Sequence, residues 1–228
     1  MAYIRVKSSS LALFWVLLGA LFLAGCMGGG GKAKDSSSDD IEYKQDLSAP
    51  LVLIPNPYDK QKVNVAADVS ARFNKALALM EVKKWVEAEM ALEPLTQSNP
   101  NLSGPWLNMA ICIWRQGEIA AAGSAFDKAL AANPQNNDSY NAYAFFAREQ
   151  GDFAKAESLY KKAIQVWPHS AVSHRNLGVL YDMYMGRFDD ALYHLEMSAK
   201  IMGEPDKELK GWIVDIKRRQ KSQTKEAQ

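Results

Sequence analysis

Few side chains in this 228-residue chain have types suited to chemistry. There are two cysteines, Cys26 and Cys112, and three histidines, His169, His174 and His194. A thiolate is a nucleophile and a metal ligand. Imidazole is a general base and the commonest metal ligand. The chain contains no HExxH, no GxSxG and no glycine-rich phosphate loop, so no metallohydrolase, serine-hydrolase or nucleotide site is spelled out. His174 falls in a column that holds aromatic residues elsewhere in the chain, which predicts packing. His169 follows Pro168 in a turn and is expected in solvent. The spacing of the three does not predict a shared metal site. Cys112 lies within "AICIW" and reads as a small buried apolar residue. The carboxylates are scattered among basic neighbours, as on solvated helix faces. The expectation is a protein that is not an enzyme, with no metal or dissociable cofactor and no small-molecule substrate.

Cys26 stands apart, at the seam of "LFLAGCMGGGGKAKDSSSDD". Upstream, Met1 to Ser10 carries Arg5 and Lys7 and no acid, and an apolar run follows from Leu11 to Leu23. A charged start and a short apolar stretch form the layout of a secretory signal. The run is shorter than the ~20 residues a membrane-spanning helix needs. Its end, "LAGC" from Leu23 to Cys26, resembles the lipobox of bacterial lipoproteins. The resemblance implies cleavage before Cys26, a diacylglycerol on the thiol and a further acyl chain on the new amino group. Three chains exceed the two signals that stable anchoring requires. Met27, where an Asp would imply retention at the inner membrane, implies the outer membrane, periplasmic side. Residues 1–25 are then a signal peptide, and Cys112 has no disulfide partner.

Loss of Arg5 and Lys7 with that leader leaves 25 basic against 26 acidic residues. Such a balance offers no basic stripe for nucleic acid. Residues 26–68 read as the lipidated N-terminus and an extended linker. "GGGGKAKDSSSDD" cannot bury enough apolar surface to order itself. As a flexible coil of about 24 residues it reaches roughly 25–30 Å. Pro50, Pro55 and Pro57 then exclude a helix, so "APLVLIPNPY" is expected to be extended. Its apolar part, Leu51 to Ile54, lies either on the folded domain or on a partner.

The elements that would position a site come from a repeat. "WLNMAICIWRQGEIAAAGSAFDKALAANP" (Trp106 to Pro134) is echoed by "YNAYAFFAREQGDFAKAESLYKKAIQVWP" (Tyr140 to Pro168). Pro100, Pro134 and Pro168 are 34 residues apart, as are Gly117 and Gly151, and Ala88, Ala122 and Ala156. A period of 34 is that of stacked helix pairs. Gly117, Gly151 and Gly186 fall between the helices of a pair, where a turn needs positive φ. Ala110, Ala144 and Gly178 on the first helix, with Ala122, Ala156 and Ala191 on the second, allow close packing. Trp106, Tyr140 and His174, then Phe126, Tyr160 and Leu195, fill the remaining space.

These columns resemble the tetratricopeptide repeat. Residues 103–136 and 137–170 match nearly throughout. Residues 171–205 match with one extra residue near Met185 and Gly186. Residues 69–102 match weakly, since Arg72 and Lys75 replace apolar columns and Pro94 interrupts the second helix. The resemblance implies an all-α fold, a right-handed α-α superhelix of about four repeats. Residues 206–228 add a capping helix, with Leu209, Trp212, Ile213 and Ile216 at helical spacing, and a basic tail.

The function is then expected on a surface. By resemblance the first helices line the concave side, which offers Leu107, Ile111, Trp114, Arg115, Asn141, Phe145, Arg148 and Arg175 as a partner-binding groove. Aromatic residues and arginines anchor protein interfaces. A protein or peptide with acidic character suits them. The reading is a membrane-anchored periplasmic scaffold for an envelope assembly, secretion, pilus or transport complex. The alternatives are an enzyme accessory or peptidoglycan-processing protein, and a passive structural spacer.

Overall fold

The computed structural model describes residues 46–61 and 65–226, with side chains to residue 222. The leader, Cys26 and the glycine-serine tether lie outside the described residues. Four helix pairs follow one another: α1 (Ala67–Glu81) with α2 (Trp85–Ser98), α3 (Ser103–Arg115) with α4 (Ile119–Ala132), α5 (Asn137–Glu149) with α6 (Phe153–Val166), and α7 (Ala171–Leu180) with α8 (Phe188–Met202). A ninth helix, α9 (Lys207–Glu226), closes the series, and the described residues contain no strand.

Local chemistry sets the helix ends. Gly117, Gly151 and Gly186 turn from first to second helix at φ 91°, 79° and 66°. The first pair has Lys83 at the corresponding place, at φ 59°, a conformation that costs an L-residue about 1–2 kcal/mol. Asn136, Asp152 and Ser170 cap α5, α6 and α7, each side chain accepting from the backbone N–H of the first turn. The expectation that Pro94 interrupts the second helix is corrected: α2 runs through it to Ser98. The Met90 carbonyl that Pro94 cannot bond belongs to a residue 67% exposed, so water can satisfy it, while Leu92, Leu95 and Thr96 stay in the core.

The small columns do close the pairs. Ala88, Ala110, Ala122, Ala144, Ala156 and Ala191 have no exposed surface. Gly178 is tightest: a Cβ there would stand 2.7 Å from Leu195 Cγ. Phe126 stacks on Tyr143 with centroids 4.9 Å apart. Burying such side chains contributes roughly 1.5–3 kcal/mol each.

Successive first helices touch one another, α1 with α3, α3 with α5, and α5 with α7, whereas second helices make no comparable contacts. A stack closer on one side curves toward that side, which makes this a helical solenoid with the first helices inside. The extra residue of the fourth pair is absorbed at the end of α7, where Tyr181–Met185 forms a π-turn. The π-turn carries Asp182, whose carboxylate accepts from Trp212 Nε1 at 2.6 Å and pairs with Arg219 at 2.7 Å. Both partners are on α9. Leu209 and Ile216 of the same helix are fully buried, so α9 covers the last pair as a cap.

Candidate functional site

The eight residues expected to line a groove divide in two. Leu107 and Ile111 are 2% and 3% exposed and belong to the core around Phe73 and Ala110. The inner helices pack so closely that these positions face a neighbouring helix and no partner. Asn141, also 2% exposed, donates from its amide to Asn137 and to Ser173 Oγ at 2.8 Å. It belongs to a buried polar seam between the third and fourth pairs. Arg175 is held from the other side: Asp206 and Glu208, at the start of the cap, accept from its guanidinium at 2.8 and 2.9 Å. Leu107, Ile111 and Asn141 are corrected from partner contacts to buried parts of the scaffold, while Arg175, its side chain 26% exposed, is paired within the chain.

The other four form a continuous ladder. The Arg115 guanidinium lies 4.4 Å from the Trp114 ring centroid. Trp114 meets Phe145 edge-on at 5.6 Å and Phe146 at 5.5 Å. The Arg148 guanidinium covers Phe145 at 4.5 Å and Tyr184 at 5.5 Å. Tyr184 in turn contacts Phe153 at 5.0 Å. Guanidinium groups and rings follow one another across three consecutive pairs, each cation–ring contact adding about 0.5–2 kcal/mol according to its exposure. The C-terminal turns of α3 and α5 place the arginines, and the π-turn brings Tyr184, which the 34-residue period alone did not reveal.

The charges of this ladder are incompletely answered from within. Arg148 is only 11% exposed in its side chain, pairs with Glu149 at 3.2 Å, and its Nε has no partner. Arg115 is exposed. Tyr184, over which Arg148 lies, is 39% exposed. Flat apolar rings next to guanidinium groups can receive a polypeptide that carries carboxylates near apolar side chains. They offer no nucleophile.

A second feature lies along the turns that join one pair to the next. Residues 46–61, with turns at 47–49 and 57–60, run as a strap over them, in the direction opposite to the repeats. Lys200 Nζ donates to the carbonyl of Leu47 at 2.8 Å and also to that of Ala49. The Ile54 amide donates to His169 Nδ1 at 2.6 Å, and Trp167 Nε1 donates to the Ile54 carbonyl at 2.7 Å. Farther on, Ser103 Oγ donates to the Tyr58 hydroxyl at 3.4 Å, and Gln61 bonds to Gln135 and Asn133 at 2.6 Å each. The main chain of Ile54 is fixed to the repeats, while the side chains of Val52, Leu53 and Ile54 stay 83%, 55% and 51% exposed. The expectation that His169 is solvated is corrected, since it is 5% exposed and receives the strap.

The remaining candidates for chemistry are buried. His174 Nε2 donates to the Pro168 carbonyl at 3.0 Å, and its Nδ1 is 2.9 Å from His194 Nδ1, so one ring donates and the other accepts. Burial pushes His174 down to about 4, against the pull of the Pro168 carbonyl, with His169 adding to the depression. Burial pushes the Cys112 thiol up to about 12, Glu89 adding to it, so it stays protonated and inert. Among the described residues no three His, Cys, Asp or Glu side chains converge on a metal position, and no helix is long and apolar enough to cross a membrane.

Comparison with known proteins agrees with this architecture. The family pattern described as tetratricopeptide repeat matches residues 73–137 and again 135–204, together more than half of the chain. No curated protein matches. Among solved structures, pilF of Pseudomonas aeruginosa superposes with a TM-score of 0.61 at 19% identity, over 68% of this chain and 69% of that one. A tetratricopeptide-repeat protein of Thermus thermophilus gives 0.57 at 20% identity, over 66% and 81%. The Cut9–Hcn1 hetero-tetramer of the APC/C gives 0.56 at 16% identity, over 68% of this chain and 31% of that one. At these identities the likeness is one of fold.

Proposed function

Because the chain belongs to the tetratricopeptide-repeat family, we propose that it is a membrane-tethered scaffold that docks one protein partner within a cell-envelope complex. Its fold is that of a protein-binding scaffold, and a structural neighbour is itself part of a hetero-tetramer. The observation that carries the reading is the ladder from Arg115 to Phe153. It sets Arg115 on Trp114 and Arg148 on Phe145 and the exposed Tyr184, with Glu149 pairing Arg148. A partner segment with acidic and apolar residues would supply the missing counter-charge and cover the rings. Trp114, Arg115, Phe145, Arg148 and Tyr184 are its contacts.

The tether is read from "LAGC". Acylated Cys26 holds the scaffold to the outer membrane on the periplasmic side. Secretion, pilus, transport or envelope assembly complexes offer clients of this kind. Two measurements test the parts separately. The N-terminal peptide of the membrane-extracted protein should carry acyl chains on Cys26, and Cys26→Ser should release the protein from membranes. Arg148→Glu should lose the partner without losing helical circular dichroism. An unmodified N-terminus would overturn the tether, and undiminished capture by Arg148→Glu would overturn the docking face.

A further inference from the structure

The strap is held in an unusual way for a docked segment. From Leu47 to Ile54, each bond that fixes it to the repeats goes to a main-chain atom: the Leu47 and Ala49 carbonyls on Lys200, the Ile54 amide on His169 and the Ile54 carbonyl on Trp167. Its apolar side chains contribute little. Val52, Leu53 and Ile54 are 83%, 55% and 51% exposed. Between turns at 47–49 and 57–60, residues 50–56 run free of helix and turn, with prolines at 50, 55 and 57 and no ionisable side chain between Leu47 and Pro57.

The receiving groups are set by the repeats rather than by the strap. Trp167 is the residue after α6, its N–H bonded to the Ala163 carbonyl at 2.9 Å. Ser170 caps α7 one residue after His169. Lys200 lies in the last turn of α8. An indole N–H, an imidazole acceptor and an ammonium group are therefore in place before a ligand arrives, and preorganised groups bind at lower entropic cost. Reading one residue's N–H and C=O together recognises an extended backbone, whatever its side chains are.

We propose that this edge of the solenoid is a binding site for extended polypeptide main chain, occupied in cis by residues 47–61 and open in trans to uncharged, apolar extended segments that displace them. The strap wins by default because it is tethered, with an effective concentration on the order of millimolar. Its few bonds and its exposed side chains suit it to open locally. The site is separate from the arginine–aromatic ladder, and neither depends on the other.

The test uses the full mature chain carrying Ile54→Pro and Tyr58→Ala, which loosen the strap and leave the receiving groups intact. The probe is a fluorescein-labelled peptide of residues 47–61, "LSAPLVLIPNPYDKQ", followed by anisotropy. The loosened chain should bind the peptide at least tenfold more tightly than the wild type. Adding Trp167→Phe should weaken binding severalfold, since it keeps the ring and removes the donor. A peptide with Ile54→Pro should not bind, and one with Val52→Thr and Leu53→Thr should bind within about twofold of the original. A loosened, folded chain that fails to bind the probe overturns the site. Equal binding of the Ile54→Pro peptide overturns main-chain recognition.

Discussion

The backbone amide of Ile54 donates to His169 Nδ1 at 2.6 Å, although 115 residues separate them in sequence. The bond fixes the middle of the strap to the junction between the third and fourth helix pairs, and it requires His169 to keep Nδ1 unprotonated. His169→Ala removes the acceptor. The loss of one such bond costs about 1 kcal/mol, so hydrogen exchange at the Ile54 amide should quicken about fivefold while the amides of α5 and α6 are unchanged. Unchanged exchange at Ile54 would show that the strap is held by its other contacts alone.

His174 makes stability depend on pH. Unfolded imidazole titrates near 6.5, whereas burial lowers the folded value to about 4. Between those values the unfolded chain takes up a proton that the folded chain refuses. Stability is therefore full above about pH 6.5 and falls as the pH drops through about 4, by roughly 3 kcal/mol in all. Urea unfolding at pH 7.5, 5.5 and 4.5 measures the slope. His174→Phe, which suits an aromatic column, should flatten it, and an equally steep slope in that variant would place the titration elsewhere.

Gly178 leaves no room for a methyl group, its ideal Cβ being 2.9 Å from Leu195 Cδ2 and 3.1 Å from the Ala191 carbonyl. Ala occupies the same column at 110 and 144 without exposure, so the difference belongs to the fourth pair. Gly178→Ala should lower the stability by about 1–3 kcal/mol through overpacking. A gain in chemical denaturation would mean that Leu195 yields more easily than the packing implies.

Lys83 takes the turn conformation that glycine takes in the other three pairs. Lys83→Gly relieves the left-handed strain and loses some of that gain to unfolded-state entropy, for a net stabilisation of about 0.5–1 kcal/mol. Since Lys83 is exposed, no packing term interferes. A thermal midpoint that does not rise would contradict the strain argument.

How much of this was legible in the chain depends on the kind of force involved. Pro100, Pro134 and Pro168, with the alanine columns, announced paired helices because close packing and helix ends demand particular residues at a fixed period. Trp114 and Phe145 could be placed on inner helices for the same reason. The ion pairs of Arg175 could not be read, because Asp206 and Glu208 reach it from the cap, outside the repeat. The strap left no periodic trace, since main-chain hydrogen bonds leave the side chains unconstrained. The burial of His169 was not legible because the strap that bonds to it comes from 115 residues away in sequence. The π-turn was visible as an inserted residue, but the delivery of Asp182 to Trp212 and Arg219 was not.

A photo-crosslinking amino acid placed at Tyr184, beside the arginine–aromatic ladder, tests the central claim most directly when compared with one at Ser158 on the outer helix α6. The account predicts one dominant protein adduct from Tyr184 in intact membranes, its loss when Arg148→Glu is added, and none from Ser158. Equal labelling from both positions, or an adduct at Tyr184 indifferent to Arg148→Glu, would contradict it.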